Sequence, residues 1–374
     1  MIRKLVIIFL LIAPLSNCSP KISSSVSDKT QDKEKPKDPS TSKYRKVVFI
    51  IGDGMGLAQI STAIYSSRQR NEFERFKHIG FHKAYSSNDL ITDSAAGATA
   101  FSIGMKTSNE YLGIDSLGIP HKTILEEAAE KGYGTGIVVT STIVHATPAA
   151  FLAHNKNRNA YEEIALDIID SGCDILIGGG EKFFNRRESD TIDLIRQFEN
   201  KNYLVSNYFR RDYSEIIIPS GKKFLYFTAD GDPQTVAMGR TYLPKASIDA
   251  LNFLAQKNTN GFLMIEGSQI DWAGHDNDTK YLLEEMEDFN RMLGKVLDWA
   301  ENDGNTLVVV TADHETGGLT IMPGSEWGNI KTNYSTKSHT GVLIPVFAFG
   351  PGAENFGGIY ENTELYKLLK KALF

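Results

Sequence analysis

Residues 46–56 read Lys46-Val47-Val48-Phe49-Ile50-Ile51-Gly52-Asp53-Gly54-Met55-Gly56. After the lysine the run is apolar and rich in β-branched residues, which is typical of a strand buried on both faces. The glycines that follow allow a tight turn and close backbone approach. Asp53 is therefore expected just past the carboxyl end of a buried strand, where open α/β sheets bind their ligands.

Similar apolar runs recur along the chain and alternate with helical patterns. The predicted strands span 135–140, 174–177, 223–228, 261–266, 305–311 and 342–349, the last being the final strand. Helices are predicted at 123–132, where a capping box starts the helix, at 247–256, and along the apolar positions between 282 and 297. The segment 178–221 is predicted to hold surface helices and loops. This alternation predicts an α/β fold with a doubly wound, mostly parallel central sheet flanked by helices.

The bulk composition is that of an ordinary globular protein. The 374 residues suffice for one large α/β domain or two smaller ones. A formal net charge of −6 argues against a nucleic-acid partner, although local positive charge or metal ions can still hold an anionic substrate. The two cysteines are Cys18 and Cys173, so the mature domain has no intramolecular disulfide. Cys173 is interpreted as a small buried apolar residue.

The N-terminal residues are predicted to direct export. Residues 1–18 combine Arg3 and Lys4 with a short apolar run at 5–13, which is typical of a signal peptide. The sequence Leu15-Ser16-Asn17-Cys18 resembles a bacterial lipobox, which predicts lipidation of Cys18 and a periplasmic or outer-membrane-anchored lipoprotein; the alternative is an ordinary cleaved signal. Residues 19–44 are polar and predict a disordered tether. The remaining residues, 45–374, form the predicted folded domain.

The segment 92–100 reads T-D-S-A-A-G-A-T-A and is dominated by small residues. Asp93 is a natural N-cap, so Ser94 is predicted to open a helix that ends near Gly104. A serine there faces unpaired backbone N–H groups and the positive end of the helix dipole, where phosphate binds readily. The segment alone is equally consistent with a tightly packed, capped core helix.

Side chains of the types that bind metal ions follow several of the predicted strands. Asp53, Glu266 and the Asp313-His314 pair come at carboxyl ends, which meet at one edge of a parallel sheet. His145 and Thr147 also follow a strand and would share one side if their segment stayed extended. The remaining candidates are Asp271 and His275, spaced to converge on one helical turn, and His339. So many acids together would repel one another, and divalent cations would neutralise them: mixed Asp/His ligands suit zinc, whereas oxygen ligands suit magnesium.

Six motifs in order resemble the alkaline phosphatases over essentially all of 45–374. They are D-G-M-G at 53–56, T-D-S-A-A-G-A-T-A at 92–100, H-A-T-P at 145–148, E-G-S-Q-I-D-W-A-G-H at 266–275, T-A-D-H-E-T-G-G at 311–318 and S-H-T-G at 338–341. The resemblance implies the fold of that family and hydrolysis of small phosphate monoesters at alkaline pH. It also implies a phosphoserine intermediate formed on Ser94.

The resemblance further implies two zinc ions and one magnesium ion. The implied ligands are Asp271, His275 and His339 for one zinc, Asp53, Asp313 and His314 for the second metal ion beside the serine, and Asp53, Glu266 and Thr147 for magnesium. His145 stands at the magnesium site, where some members of the family carry aspartate. Arg158 matches the arginine that clamps two phosphate oxygens. Trp272 occupies a position where other members carry lysine or histidine, so no role is transferred to it.

Two further expectations concern assembly and alternatives. The family is usually dimeric, which predicts a homodimer. Only 24 residues (315–338) separate His314 from His339, so an additional surface domain has no room and a dimer must use the core domain. The alternatives are a related phosphodiesterase or sulfatase, and a non-catalytic lipoprotein that binds metal or phosphate. Ser94 lacks the neighbouring proline and arginine expected of a sulfatase, and Arg158 favours a monoester.

Overall fold

The computed structural model describes residues 44–374. The predicted signal peptide, Cys18 and the predicted tether up to residue 43 lie outside the described residues. Within 44–374, none of the helices combines the length and apolar character that a membrane crossing requires.

Fourteen strands are present in the described residues, ten of them in one sheet. In chain order they are β1 (Lys46–Gly52), β2 (His78–Lys83), β3 (Gly134–Thr142), β4 (Ile175–Gly179), β5 (Tyr203–Asn207), β6 (Lys223–Phe227), β7 (Gly261–Gly267), β8 (Thr306–Thr311), β9 (Glu315–Thr316), β10 (Leu319–Ile321), β11 (Thr332–Tyr334), β12 (His339–Thr340), β13 (Ile344–Phe349) and β14 (Gly358–Glu361).

The large sheet has the order β14-β2-β13-β8-β1-β7-β3-β4-β6-β5. The strands from β8 to β5 are all parallel, and β13 alone runs antiparallel to its neighbours β8 and β2. At the other edge β14 is parallel to β2. Two small antiparallel sheets, β9 with β12 and β10 with β11, lie outside it. The predicted mostly parallel sheet is confirmed.

Eleven α-helices connect these strands in the described part of the chain. They are α1 (Leu57–Tyr65), α2 (Ser94–Ile103), α3 (Ile124–Glu130), α4 (Ala146–Leu152), α5 (Tyr161–Ile168), α6 (Lys182–Asn185), α7 (Leu194–Asn200), α8 (Leu243–Gln256), α9 (Gln269–Asp276), α10 (Thr279–Asp303) and α11 (Asn362–Leu373). Short 3-10 helices occupy Glu72–Arg75, Tyr213–Glu215, Val236–Met238 and Ala353–Phe356.

The helices cover both faces of the sheet, and the side chains of β1 show why. Val47, Phe49 and Ile51 belong to one apolar core, which includes Phe101 of α2 and Leu365 of α11. Val48 and Ile50 point to the opposite core, which is filled by α1, α8 and α10. Because successive side chains of a strand alternate between faces, a strand buried on both sides must be apolar throughout.

Three strands of the large sheet, and the four of the two small sheets, were not predicted; the three in the large sheet are short and partly exposed. β2 (H-I-G-F-H-K) and β14 (G-I-Y-E) carry polar side chains, so they lack the continuous apolar run of a central strand. The prediction that 342–349 holds the last strand is wrong, since β14 follows it. The prediction of only helices and loops in 178–221 is also wrong, because β5 pairs with β6 at the sheet edge.

Three local predictions meet different outcomes. The capped helix at Ser94 is confirmed: the Asp93 carboxylate accepts a hydrogen bond from the N–H of Ala96 at 2.9 Å, and Gly104 ends the helix with φ of 73°. The segment after β3 does not stay extended, because α4 starts immediately after His145. Cys173 is fully buried, as predicted.

Candidate active site

The carboxyl ends of the central parallel strands place the predicted site residues along one edge of the sheet. β1 lies between β7 and β8, and Ile51 pairs in register with both Glu266 and Thr311. Asp53 follows β1 directly and Asp313 follows β8 after one residue. The turn after β1 needs its glycine, since Gly54 has a φ of 68° and a Cβ there would lie 2.9 Å from the Cα of Asp271. Backbone packing thus brings these strand ends together.

Three groups of side chains have ligand atoms within 4.8 Å of one another. The groups are Asp271 with His314 and His339, Asp53 with Asp313 and His314, and Asp53 with His145 and Glu266. His275 joins the first group, because its Nε2 lies 3.3 Å from Asp271 Oδ2 and 3.2 Å from His339 Nε2. Asp53 and His314 each belong to two groups. We call these groups the first, second and third clusters.

The first cluster contains two imidazoles that face each other. The Nδ1 of His275 lies 2.6 Å from the Lys337 carbonyl, and the Nδ1 of His339 lies 2.8 Å from the Thr92 carbonyl. A carbonyl only accepts, so each Nδ1 carries the proton in the neutral ring and each Nε2 presents a lone pair. While both rings are neutral, these two Nε2 atoms 3.2 Å apart cannot hydrogen-bond to each other. Either a proton on His275 Nε2, donated to Asp271 Oδ2, or a cation shared with Asp271 would relieve this contact.

Thr316 contacts two side chains of this cluster, Asp271 and His314. Its hydroxyl donates to Oδ1 of Asp271 and lies 3.2 Å from Nδ1 of His314. Burial acts to raise the pKa of Asp271, but the bond to His275 and the neighbouring imidazoles hold that pKa below its usual value. The same bond raises the pKa of His275 to about 9. Thr316 lies inside a quoted motif, yet a lone threonine gave no signal of this contact.

The second cluster is closed off from solvent. His314 Nε2 lies 3.4 Å from Asp53 Oδ1 and 3.3 Å from Asp313 Oδ2. Burial and the neighbouring carboxylates raise the pKa of Asp53 well above its usual value, and they raise the pKa of Asp313 to about 6. Burial also lowers the pKa of His314. The cluster therefore favours neutral groups unless a cation compensates the charge.

The third cluster has the same electrostatic character. Burial raises the pKa of Glu266 to about 8, and the carboxylates of Asp313 and Asp271 act in the same direction. Burial lowers the pKa of His145 to about 3. The indole of Trp272 packs edge-on against the His145 ring, with centroids 6.0 Å apart.

Buried polar atoms without a hydrogen-bond partner test whether cations fit these clusters. Within residues 44–374, such atoms are concentrated here: Asp53 Oδ2, Asp313 Oδ2, both carboxylate oxygens of Glu266, His145 Nδ1, Thr147 Oγ1 and Ser268 Oγ. Buried polar groups are otherwise almost always paired, because burying one alone costs free energy. Almost all of these atoms are acceptors suited to a divalent cation, so the residues fit the metal ions that the sequence predicts.

Ser94 lies beside the second cluster at the first residue of α2. Its Oγ is 3.2 Å from His314 Nε2 and 3.5 Å from Asp53 Oδ1. The small residues of α2 permit this approach, since a Cβ on Gly97 would lie 3.0 Å from the Cβ of Asp313. The hydroxyl thus lies against metal-binding side chains at the positive end of a helix.

Arg158, in the loop after α4, lies beside the N-terminus of α2, where Ser94 is. Its Nη1 donates to Asp93 Oδ2 at 3.0 Å, while the other oxygen of Asp93 caps α2. The N-cap of the serine helix is therefore also the partner of the arginine. The sequence identified Asp93 as a cap only, and a capping pattern carries no signal of this second contact.

Comparisons with known proteins agree with this geometry. A model of the family described as Alkaline phosphatase matches residues 44–334. Alkaline phosphatase 3 of Bacillus subtilis (strain 168) is 30% identical, covering 91% of this chain and 91% of its own. The structure of alkaline phosphatase from the Antarctic bacterium TAB5 is 42% identical, covers 88% of this chain and 97% of its own, and has a TM-score of 0.83. A histidine-to-aspartate mutant of the TAB5 enzyme, described with Mg bound in the M3 site, is 39% identical, covers the same shares and has a TM-score of 0.81.

The predicted family is confirmed by the extent of these matches. The family model runs from the first described residue past the Asp313-His314 loop, and the relatives align over nearly their full length. The chain therefore belongs to the alkaline phosphatase family and is a metal-binding phosphomonoester hydrolase.

Proposed function

We propose that hydrolysis proceeds through a phosphoserine formed on Ser94. The observation that carries this proposal is the position of Ser94 Oγ, at a helix N-terminus and within 3.5 Å of both His314 and Asp53. A hydroxyl is a weak nucleophile at its ordinary pKa and needs activation. The second cluster is the group of side chains close enough to supply it by holding a cation.

We propose two zinc ions and one magnesium ion as the resident metals. The residues that would hold them are Asp271, His275 and His339 for one zinc, Asp53, Asp313 and His314 for the other, and Asp53, Glu266 and Thr147, with His145 adjacent, for magnesium. When bound, such cations lower the pKa of a hydroxyl and neutralise charge that develops on the reacting oxygens. Mixed carboxylate and imidazole ligands suit zinc, and the oxygen-rich third cluster suits magnesium.

The chain performs two displacements at phosphorus. In the first, Ser94 Oγ forms a bond to phosphorus, the ester oxygen leaves, and the serine proton is balanced by protonation of the departing alcohol. In the second, water attacks the phosphoserine, the bond between Oγ and phosphorus breaks, and Ser94 regains its proton as phosphate departs. Throughout, the N-terminus of α2 faces the phosphoryl group and favours its negative charge.

Arg158 is proposed to hold the phosphoryl oxygens during both steps. A guanidinium can donate two parallel hydrogen bonds to two oxygens of one phosphoryl group. A monoester keeps an additional charged oxygen that a diester lacks, and the relatives are named alkaline phosphatases. Both points favour monoester chemistry over the phosphodiesterase and sulfatase alternatives.

The substitution Arg158→Ala is expected to raise KM for p-nitrophenyl phosphate and to lower kcat/KM by about 10²-fold. Arg158→Lys should restore only part of the loss, because an ammonium cannot form the bidentate pair. Arg75→Ala is the matched control: the Arg75 side chain is 17% exposed against 19% for Arg158, and it also pairs with carboxylates. An unchanged KM in Arg158→Ala would contradict the proposed clamp.

Trapping the intermediate tests the proposed mechanism directly. The enzyme is mixed with p-nitrophenyl phosphate, quenched in acid and digested, and the peptides are analysed by mass spectrometry. We expect one phosphoryl group on the peptide that contains Ser94. A quenched enzyme that turns over the monoester but carries phosphate on another residue, or on none, would overturn the phosphoserine mechanism.

We also propose that the enzyme is a homodimer that associates through its core domain. The support is the short connection between His314 and His339, which in this chain holds only the small strands β9, β10 and β11. Light scattering at micromolar concentration measures the mass, and a monomer would overturn the proposal.

Export and lipid anchoring are proposed from the N-terminal sequence. The enzyme would reach the periplasm or the outer membrane with a lipid on Cys18. Labelling of the full chain with radioactive palmitate in a bacterial host should depend on that residue and disappear in Cys18→Ala. Absence of labelling in the natural chain would overturn the proposal and favour an ordinary cleaved signal.

A further inference from the structure

The segment 91–94 connects three parts of the site. The Thr92 carbonyl accepts the hydrogen bond from Nδ1 of His339, and the Asp93 carboxylate accepts the hydrogen bond from Arg158. Ser94 follows directly as the first residue of α2. A small shift of this backbone would therefore move the serine, the arginine and a metal-binding histidine together.

The side chain of Asn109 forms hydrogen bonds to this segment on both sides of Thr92. Its Oδ1 accepts from the backbone N–H of Asp93 at 3.1 Å, and its Nδ2 donates to the carbonyl of Ile91 at 3.1 Å. Its own backbone N–H donates to Oδ1 of Asn88 at 2.9 Å, which fixes the loop that presents it. The Asn109 side-chain amide therefore contacts the site through the backbone atoms of Ile91 and Asp93.

The next residue, Glu110, makes a second hydrogen bond to this segment and adopts an unfavourable backbone conformation to do so. Glu110 has a φ of 73°, in the left-handed region that residues with a Cβ rarely adopt. Such a conformation is unfavourable for a residue with a Cβ and persists only where surrounding contacts hold it. Here the Glu110 N–H donates to Asp93 Oδ2 at 3.0 Å, the same oxygen that accepts from Arg158.

We infer that Asn109 is a positioning residue that fixes Asp93 and, through it, the Arg158 guanidinium that binds phosphate. The inference rests on the proposed role of Arg158 and adds a residue to it. Asparagine suits the position because one side chain must accept from an N–H and donate to a carbonyl. Alanine removes both bonds, and aspartate removes the donor and places a negative charge beside Asp93.

A double-mutant cycle with Arg158 tests the inference. The four enzymes are the natural chain, Asn109→Ala, Arg158→Ala and the double variant, and the measured quantities are kcat, KM for p-nitrophenyl phosphate and Ki for inorganic phosphate. We expect Asn109→Ala to raise Ki by about tenfold through misplacement of the guanidinium. In the Arg158→Ala background the same change should alter Ki by less than about twofold, because the group it positions is gone.

The cycle separates the inference from the proposal on which it rests. A natural Ki in Arg158→Ala would overturn the phosphate clamp itself. A raised Ki in Arg158→Ala, with an undiminished further effect of Asn109→Ala, would overturn the positioning role alone.

Two further variants guard against a general loss of structure. Asn109→Asp conserves the side-chain volume and is also expected to raise Ki, whereas a natural Ki in this variant would overturn the inference. Asn355→Ala is the matched control, since this exposed asparagine donates to the Gly352 carbonyl at 3.0 Å in the turn after the antiparallel strand β13. Because β13 runs antiparallel to β8, that turn lies near the amino ends of the parallel strands, whereas the site lies at their carboxyl ends. The control should therefore keep the natural Ki.

Discussion

Replacement of Ser94 by alanine is expected to lower kcat/KM for p-nitrophenyl phosphate by about 10⁴-fold or more. The alanine keeps the helix but removes the oxygen that we propose becomes bonded to phosphorus, so the proposed two-step route is lost. The side chain is buried and small, and its loss leaves the cap of α2 on Asp93 untouched. The variant should therefore fold normally and bind inorganic phosphate, which titration calorimetry can measure.

Ser102→Ala provides the matched control in the same helix. Ser102 is also buried, and its hydroxyl only donates to the Thr99 carbonyl within α2. We expect its kcat/KM to stay within a factor of about three, because a local hydrogen bond to a helix carbonyl contributes little. If Ser94→Ala kept the activity of this control, Ser94 would not be the nucleophile.

Removal of the divalent cations is expected to lower turnover by about 10³-fold or more, because charge stabilisation at the reacting oxygens is worth several kcal/mol. The measurement is hydrolysis of p-nitrophenyl phosphate after chelation and dialysis, followed by addition of zinc and magnesium. Rescue should require both ions if the clusters differ as their ligands indicate. Full activity in protein shown by elemental analysis to be metal-free would contradict the metal requirement.

The metal-free protein should also become less stable as pH rises. Burial raises the pKa of Asp313 to about 6 and that of Glu266 to about 8, both above the values of an unfolded chain. A carboxyl group with a raised pKa in the folded state favours folding while it is protonated, and this contribution disappears as pH rises through the folded pKa. Below about pH 6.5 the lowered pKa values of His145 and His314 oppose this trend, because the unfolded chain binds protons that these buried rings do not. We therefore expect Tm of the metal-free protein to fall by about 3 °C or more between about pH 6.5 and about pH 8.

Glu266→Gln isolates one carboxyl group in that measurement. The amide cannot ionise, so the metal-free variant should lose less stability over the same pH interval. Circular dichroism melts of both proteins provide the comparison. Equal pH slopes for the two would show that Glu266 is not the group that titrates.

The central strands were predictable because burial on two faces demands a recognisable sequence. β1, β3, β7 and β8 each contain an uninterrupted apolar run and are buried along their whole length, and short runs rich in β-branched residues favour strands. β5 and β14 form the sheet edges and are half exposed, so the same physics imposes no pattern on them. The clustered acids and histidines were visible for a related reason, since they interrupt apolar sequence at strand ends.

The supporting residues were not predictable in this way. Arg158 was singled out only by resemblance to a family, because an arginine in a polar loop is usually a surface charge. Asn109 and Thr316 gave no signal, since polar residues in loops are common and their contacts depend on tertiary packing. The strained Glu110 is likewise invisible, because a left-handed φ at glutamate opposes local preference and is imposed by the surrounding contacts.

The bond between His339 and the Thr92 carbonyl joins residues 247 positions apart. The central strand β1 likewise pairs with two strands from the second half of the chain, β7 and β8. Such distant contacts make folding slow, because a long loop must close before they contribute. A ribosome must therefore deliver almost the whole polypeptide before any catalytic centre exists. After dilution from denaturant, enzyme activity should consequently recover more slowly than the helical signal in circular dichroism. Activity will return only when the contacts between distant parts of the chain have formed.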